Sequence, residues 1–396
     1  MMKSTHIVAL AALVGPLLVS SVAAEDAATI KPVDEIRTLS RIQNGLTNGQ
    51  TSGLRVQHIV IRSIGHKFLS APPEIWSERK NADAAIRFLL SGGDPSFARI
   101  GAVQDALPES HRRIFAAALA FAEGGRTKAR KLLVGVNPRS LPPMIAAHIA
   151  LVTGILLSRQ KPELARKYLE DARLLGSGTL IEEAALRRQI SVSVAEKKFD
   201  SFRGVADTYA RHYRDSVYLG VFRERFSQNV LAVVDKGNKT RIRWLIDHIQ
   251  RYNKDEQVAY STLIAREAVL RGRPEIVAAL TELGLDGKPA SADMAAQLAL
   301  YKSATSIFGK NPDEGAELLS LVDVERLERD DMAIYRAASR LLQQIREWPE
   351  PTASGEASQG EPPKAGLGQS RKLSSVATIL EKGRAKLAAA DTLLAR

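Results

Sequence analysis

Apolar residues recur along this chain at alternating spacings of three and four. Within residues 33–48 they fall at Val33, Ile36, Leu39, Ile42 and Leu46, which puts them on one face of an α-helix. Gly49 and Gly53 interrupt that helix, and residues 54–69 repeat the pattern. The run HIVIR at residues 58–62 has a strand-like composition but lies inside this second helical period. Alternation of period two extends nowhere over a convincing length, so the pattern predicts an all-α chain.

From about residue 78 the predicted helices come in pairs. Residues 115–133, FAAALAFAEGGRTKARKLL, read as an Ala-rich helix, a Gly-containing turn and a second helix; residues 148–169 have the same shape. Ala129-Arg130-Lys131-Leu132-Leu133 aligns with Ala165-Arg166-Lys167-Tyr168-Leu169 at an offset of 36. Further units start at Ala184, Ser261 and Leu298, with turns at residues 271–274 and 309–312 among them. Small residues line the first helix of a pair and let the second approach closely. Two helices in a period in the mid-thirties predict a TPR-like (tetratricopeptide-like) helical-repeat solenoid with a degenerate consensus. An irregular helical domain is the alternative. One pair alone cannot bury its apolar face, whereas stacked pairs can, and the array then offers an extended surface to a partner.

The pattern stops near residue 349. Residues 349–371 are rich in Pro, Gly, Ser and Glu without an apolar period, which predicts a flexible linker. Beyond it Leu373, Val376, Leu380, Gly383, Leu387, Ala390 and Leu394 form an apolar seam on a C-terminal amphipathic helix, residues 372–396. Such a helix either docks on a partner or folds back on its own domain. At the other end, Lys3 and His6 precede an apolar run over residues 7–19, and small residues lead to Glu25. That is the pattern of a secretory signal peptide. The run is shorter than the roughly 20 residues of a membrane span, and Pro16 interrupts it; an uncleaved anchor helix is the alternative. The expected organisation is a signal peptide over residues 1–24, a helical-repeat domain over 25–348, the linker and the C-terminal helix, in the periplasm and without a transmembrane span after cleavage.

Composition narrows the classes. There is no cysteine, hence no disulfide framework and no Cys metal site. An exported chain of this kind fits a bacterial periplasm better than a small stapled scaffold. The formal net charge is +12, or +11 without Lys3. The cations are spread along the chain and no basic run is interleaved with aromatics, so nucleic acid is not the expected partner. A solvated basic surface is expected, facing an acidic partner or membrane headgroups.

Catalytic signatures are missing. The histidines at 6, 58, 66, 111, 148, 212 and 248 form no compact ligand pair. GLDGK at residues 284–288 lacks the spacing and hydroxyl of a phosphate loop, and LSGGD at 90–94 reads as a helix stop restarted by Pro95. No catalytic, cofactor-binding or metal-ligating residue is assigned, and the chain is read as a protein other than an enzyme.

The stretch ARLLGSGTLIEEAALRR, residues 172–188, tests that reading because it holds two adjacent glutamates beside a glycine-flanked serine. Neighbours on a helix point about 100° apart, so Glu182 and Glu183 do not face each other. TLIE predicts a capping box, with Thr179 accepting from the Glu182 amide and Glu182 reaching back to the Thr179 amide. Glu183 and Arg187 form an expected i,i+4 pair on an exposed face, and Gly176 takes the position that ends the preceding helix.

This same stretch resembles the central signature of the MotC family, periplasmic motility proteins of rhizobia and related alphaproteobacteria. VDEIRTLSRIQNGLTNGQ near the start, IWSERKNADAAIRFLLSGGDPS at residues 75–96, AALAFAEGG at 117–125 and RHYRDSVYLGVFRERF at 211–226 are similar to it as well. The resemblance spans roughly residues 33–340. It implies export to the periplasm, a requirement in flagellar rotation, and action with the periplasmic part of the stator protein MotB, which such proteins help to fold or to stay stable and positioned. It implies no catalytic residues and no cofactor. An exported helical-repeat enzyme or adaptor acting on envelope polymer is the alternative, and it would need a cleft of convergent carboxylates. If a partner is held, exposed aromatic and arginine side chains are the eligible contacts: Trp76, Arg79, Tyr213, Tyr218 and Phe222. Each is equally eligible for a core, and Tyr218 and Phe222 have the i,i+4 spacing of a packing stripe.

Overall fold

The structure, a computed structural model, describes residues 30–285, 291–309 and 311–347, and every regular element among them is a helix. The signal-peptide, linker and C-terminal-helix assignments lie outside the described residues.

Helix α1, Pro32–Thr47, starts with a proline at its first position, where no hydrogen-bonded amide is lost. Asp34 and Glu35 in its first turn face the positive end of the helix dipole. Its predicted apolar face buries Ile36 and Leu39 in one core with Ile64 and Phe68 of α2, Gly53–Leu69. HIVIR lies inside α2, as expected. A 3-10 turn, Pro73–Ser77, then seats Trp76 in an aromatic cluster with Phe68 and Phe97, ring centroids 5.0 and 5.5 Å away.

The pairs follow. Helices α3 (Arg79–Leu90) and α4 (Gly101–Ala106) are joined through a 3-10 turn at Pro95–Arg99, where Asp94 accepts from the Ser96 amide. Then come α5 (Glu109–Ala122) with α6 (Arg126–Leu133), α7 (Pro143–Leu157) with α8 (Pro162–Leu175), and α9 (Leu180–Ala195) with α10 (Phe199–His212). Helices α11 (Leu219–Val230) and α12 (Lys239–Ile249) precede the pairs α13 (Lys254–Leu270) with α14 (Pro274–Leu285) and α15 (Ala292–Phe308) with α16 (Pro312–Ser320). Helix α17, Arg329–Arg346, closes the described chain. The described residues up to Ile345 belong to one compact unit.

The stacking follows the chain. Helix α3 packs on α5 and α7, α7 on α9, α9 on α11, α11 on α13, and α13 on α15. The sequence offset of 36 has its physical reason here: Ala129 and Leu133 of α6 and Ala165 and Leu169 of α8 are all fully buried, at equivalent places in successive pairs. The small residues of the first helices act as foreseen. A side chain on Gly154 of α7 would put its Cβ 2.6 Å from Leu169 Cγ on α8, so this crossing requires glycine.

One arrangement has no sequence signature. The end of α1 reaches the middle of the chain, where the Asn44 side-chain oxygen accepts from the Leu180 amide (3.2 Å) and the Leu46 carbonyl accepts from the Val217 amide (3.1 Å). The turn from α1 to α2 is thereby tied to the start of α9 and the loop before α11.

Candidate functional site

The start of α9 is the junction on which three parts of the chain converge. Thr179 caps it, but with other partners than a capping box. Its hydroxyl accepts from the Ile181 amide (3.2 Å), and Glu182 accepts from the Gly178 amide (2.8 Å). The Glu182 contact lies one residue before the expected one because the Thr179 amide already donates to the Gly176 carbonyl (3.1 Å). The glycine roles shift likewise. Gly178 takes the left-handed backbone at φ +73°, whereas Gly176 has φ −113°. What Gly176 supplies is clearance: a Cβ there would stand 2.9 Å from the Ala172 carbonyl oxygen and 3.0 Å from Ile181 Cβ.

Glu183 departs most from expectation. It is fully buried, not on an exposed face. Helix α9 is packed by α7, α8, α10 and α11, which leaves it buried positions on most sides, Glu183 among them. One carboxylate oxygen accepts from the Tyr209 hydroxyl (2.7 Å) and the Ser216 hydroxyl (2.7 Å). Arg187 stands 3.9 Å from that oxygen, close enough for ion pairing and too far for a hydrogen bond. Burial pushes the Glu183 carboxyl above the ordinary glutamate range, against the pull of Arg187 and of the two hydroxyl donors. Burial, and then Glu183 itself, push the Tyr209 hydroxyl far upward, so it keeps its proton and donates. The Tyr209 ring stacks on Phe222 at 3.7 Å.

Glu182 turns to different partners, accepting also from the Tyr213 hydroxyl (2.8 Å). The two adjacent carboxylates therefore anchor two separate contacts and share none. A small cleft of about 220 Å³ beside them is lined by Thr47, Asn48, Ser177, Gly178, Glu182, His212 and Tyr213. Chemically the junction is a set of donors and acceptors that fixes α9, α10 and the loop before α11 to the turn after α1. Sequence reasoning missed Tyr209, Ser216 and Asn44 as its members, since nothing local marks residues so distant in the chain as neighbours.

Among the described residues no group of three or more His, Cys, Asp or Glu is placed to hold a metal ion. Two buried histidines pair instead with carboxylates: His111 with Asp83 (3.1 Å) and His248 with Asp207 (3.3 Å). His58 and His66 line an open groove with Arg62, Asp94 and Arg99, two turns apart on α2.

The residues eligible by type for a partner surface separate cleanly. Trp76 and Phe222 are fully buried and Tyr213 nearly so, because each fills an aromatic cluster between helices; they have no surface to offer. Arg79 is exposed at the start of α3. Tyr218 is half-buried, with the Arg187 guanidinium 4.5 Å above its ring.

The family model described as chemotaxis protein MotC matches residues 1–396. The chain is similar to the chemotaxis protein MotC of Rhizobium meliloti (strain 1021), 25% identical over 343 residues that cover 86% of this chain and 78% of that protein. No solved structure matches.

Proposed function

We propose, from the premise that this chain belongs to the MotC family of chemotaxis proteins, that it is a periplasmic motility protein that holds the periplasmic part of the stator protein MotB and keeps it stable and positioned for flagellar rotation. A role in chemotaxis and motility comes with the family. Export, the partner and the holding action are the finer reading, and the protein acts in it by binding and not as an enzyme.

The stack of helices supports it. Its pairs bury their apolar faces against neighbours, yet large apolar side chains stay exposed at or next to the last residue of α2, α8, α13 and α15: Leu69, Leu174, Leu270 and Phe308. Apolar groups recurring along a stacked array suit an extended polypeptide partner. The enzyme reading needs convergent carboxylates, and Glu182 and Glu183 instead take separate structural partners.

The deciding experiment is a clean deletion combined with capture. Cells lacking the protein should build flagella and fail to swim, the protein should fractionate with the periplasm, and the periplasmic fragment of MotB should co-purify with it. Normal swimming after deletion would overturn the reading.

A further inference from the structure

Four of the turns within helix pairs lie along one edge of the stack, and direct contacts tie each to the next. Arg166, one turn into α8, meets Glu196 of the turn after α9 at 3.2 Å. Arg241 at the start of α12 stands 4.4 Å over the ring of Phe199 at the start of α10. Arg273 of the turn after α13 donates to the Val234 carbonyl of the link after α11 (3.0 Å). The turns that open α8, α10, α12 and α14 therefore share an edge.

The fold leaves the cations of this edge alone. Arg159, Lys161, Lys197, Lys236 and Lys239 are exposed, and none takes an ion pair or a side-chain hydrogen bond among the described residues. The loops that pass from one pair to the next, residues 134–142, 176–179, 213–218, 250–253 and 321–328, are different. Each of their cations has a carboxylate: Arg139 with Asp171 (2.7 Å), Arg214 with Asp215 (3.8 Å), Arg251 with Asp207 (2.9 Å) and Arg326 with Asp293 (3.1 Å).

Lys197 adds an independent mark. Among the described residues it is the only one besides glycines with a left-handed backbone, at φ +55°. Its amide donates to the Val194 carbonyl, and the Lys198 amide reaches back to the Ser193 carbonyl. Gly124 and Gly272, each with the residue after it, make the same two bonds at the ends of α5 and α13. A lysine thus stands where equivalent turns use glycine, although stability alone favours glycine there. The edge also carries apolar groups. Leu270 precedes the turn after α13, Phe308 ends α15, which packs on α13, and both are exposed.

We propose that this edge docks on an anionic phospholipid bilayer. Its charges are spread over successive turns, which suits a continuous layer of headgroups. Lysine, a point charge on a flexible stem, predominates over arginine, whose planar fork suits single carboxylates. Leu270 and Phe308 supply side chains that enter the boundary between headgroups and acyl chains. The inference goes beyond the reading that the stack holds a partner polypeptide and does not depend on it.

The test is co-sedimentation at low salt with vesicles of phosphatidylglycerol and phosphatidylcholine in equal parts, using the protein in the form that accumulates in cells. Wild type should bind them, and bind phosphatidylcholine vesicles about tenfold more weakly or less. Lys161→Gln/Lys197→Gln/Lys236→Gln/Lys239→Gln should weaken binding about tenfold or more. Arg41→Gln/Arg55→Gln/Arg336→Gln/Arg340→Gln removes the same charge from exposed positions on α1, α2 and α17 and should leave it within about threefold. Lys197→Gly alone should weaken binding and leave the melting temperature equal or higher; a lower melting temperature with unchanged binding would make Lys197 structural. The chain has no cysteine, so Phe308→Cys and Leu174→Cys each take an environment-sensitive dye at one place. The dye at 308 should shift to the blue on the mixed vesicles, and the dye at 174, at the far end of α8, should not. Absent binding, equal weakening by both quadruple variants, or any other pattern of dye shifts overturns the inference. Tighter binding of a decaglutamate peptide through the same four lysines also overturns it and gives the edge to an acidic polypeptide. Lost vesicle binding with MotB capture kept removes this edge and keeps the partner reading. Vesicle binding without MotB capture does the reverse.

Discussion

Glu183 and His148 are buried titratable groups whose charge the fold opposes for the same reason and with opposite consequences. Truncating Glu183 to Ala leaves the Tyr209 and Ser216 hydroxyls without their acceptor and should cost about 3 kcal/mol, read from chemical denaturation. Glu183→Gln keeps an acceptor oxygen and should cost less. Because the folded carboxyl is raised above its ordinary value of 4.5, its contribution is full below that value and is lost as pH rises through the raised one. Glu183→Gln should therefore gain on wild type between pH 4.5 and pH 7.5 in thermal melts. The His148 imidazole runs the other way: burial, then Arg87, pull it from 6.5 down to about 3. Its contribution is full above 6.5 and is lost as the pH falls. Between pH 6.5 and pH 5 the wild type should lose about 2 kcal/mol that His148→Leu does not lose. Melts of the two proteins that stay parallel over that interval would refute this.

The helices were legible in the sequence wherever one face meets a core and the other meets water. That holds for α1, whose five apolar positions were read correctly, and for the turns between α13 and α14 and between α15 and α16. Helix α9 hides from such reading because it is packed on most sides, so its buried Glu183 looked like a surface pair. The junction was illegible for a related reason: its members come from parts of the chain far apart in sequence, and spacing reports only local geometry. The small residues of the first helices were read for what they do. Gly154→Ala should force α7 and α8 apart, since the added methyl would meet Leu169 at 2.6 Å. A loss of about 1–3 kcal/mol, with helicity by circular dichroism unchanged, is the expected outcome.

Across the whole described unit, two large cores take the two halves of the stack, one from α1 to α7 and one from α9 to α17, with a smaller cluster around α7 and α8. The tie from Asn44 to Leu180 joins the beginning of the first half to the beginning of the second. Asn44→Ala should speed amide hydrogen exchange at Leu180 and through residues 32–47, and leave α15 and α16 unchanged; uniform faster exchange would show a global loss of stability instead.

That tie also sets an order of assembly. Its two ends are 136 residues apart. During synthesis, at about 5–20 residues per second, about 7–27 seconds pass between the emergence of Asn44 and that of Leu180, which it binds. Helix α1 can meet α2 and α3 at once, but its far end stays untied until α9 and the loop before α11 exist. The earliest helix of the described chain is thus held in its final place by some of the later ones, and any factor that attends the nascent chain meets the α1–α2 hairpin with that end still free.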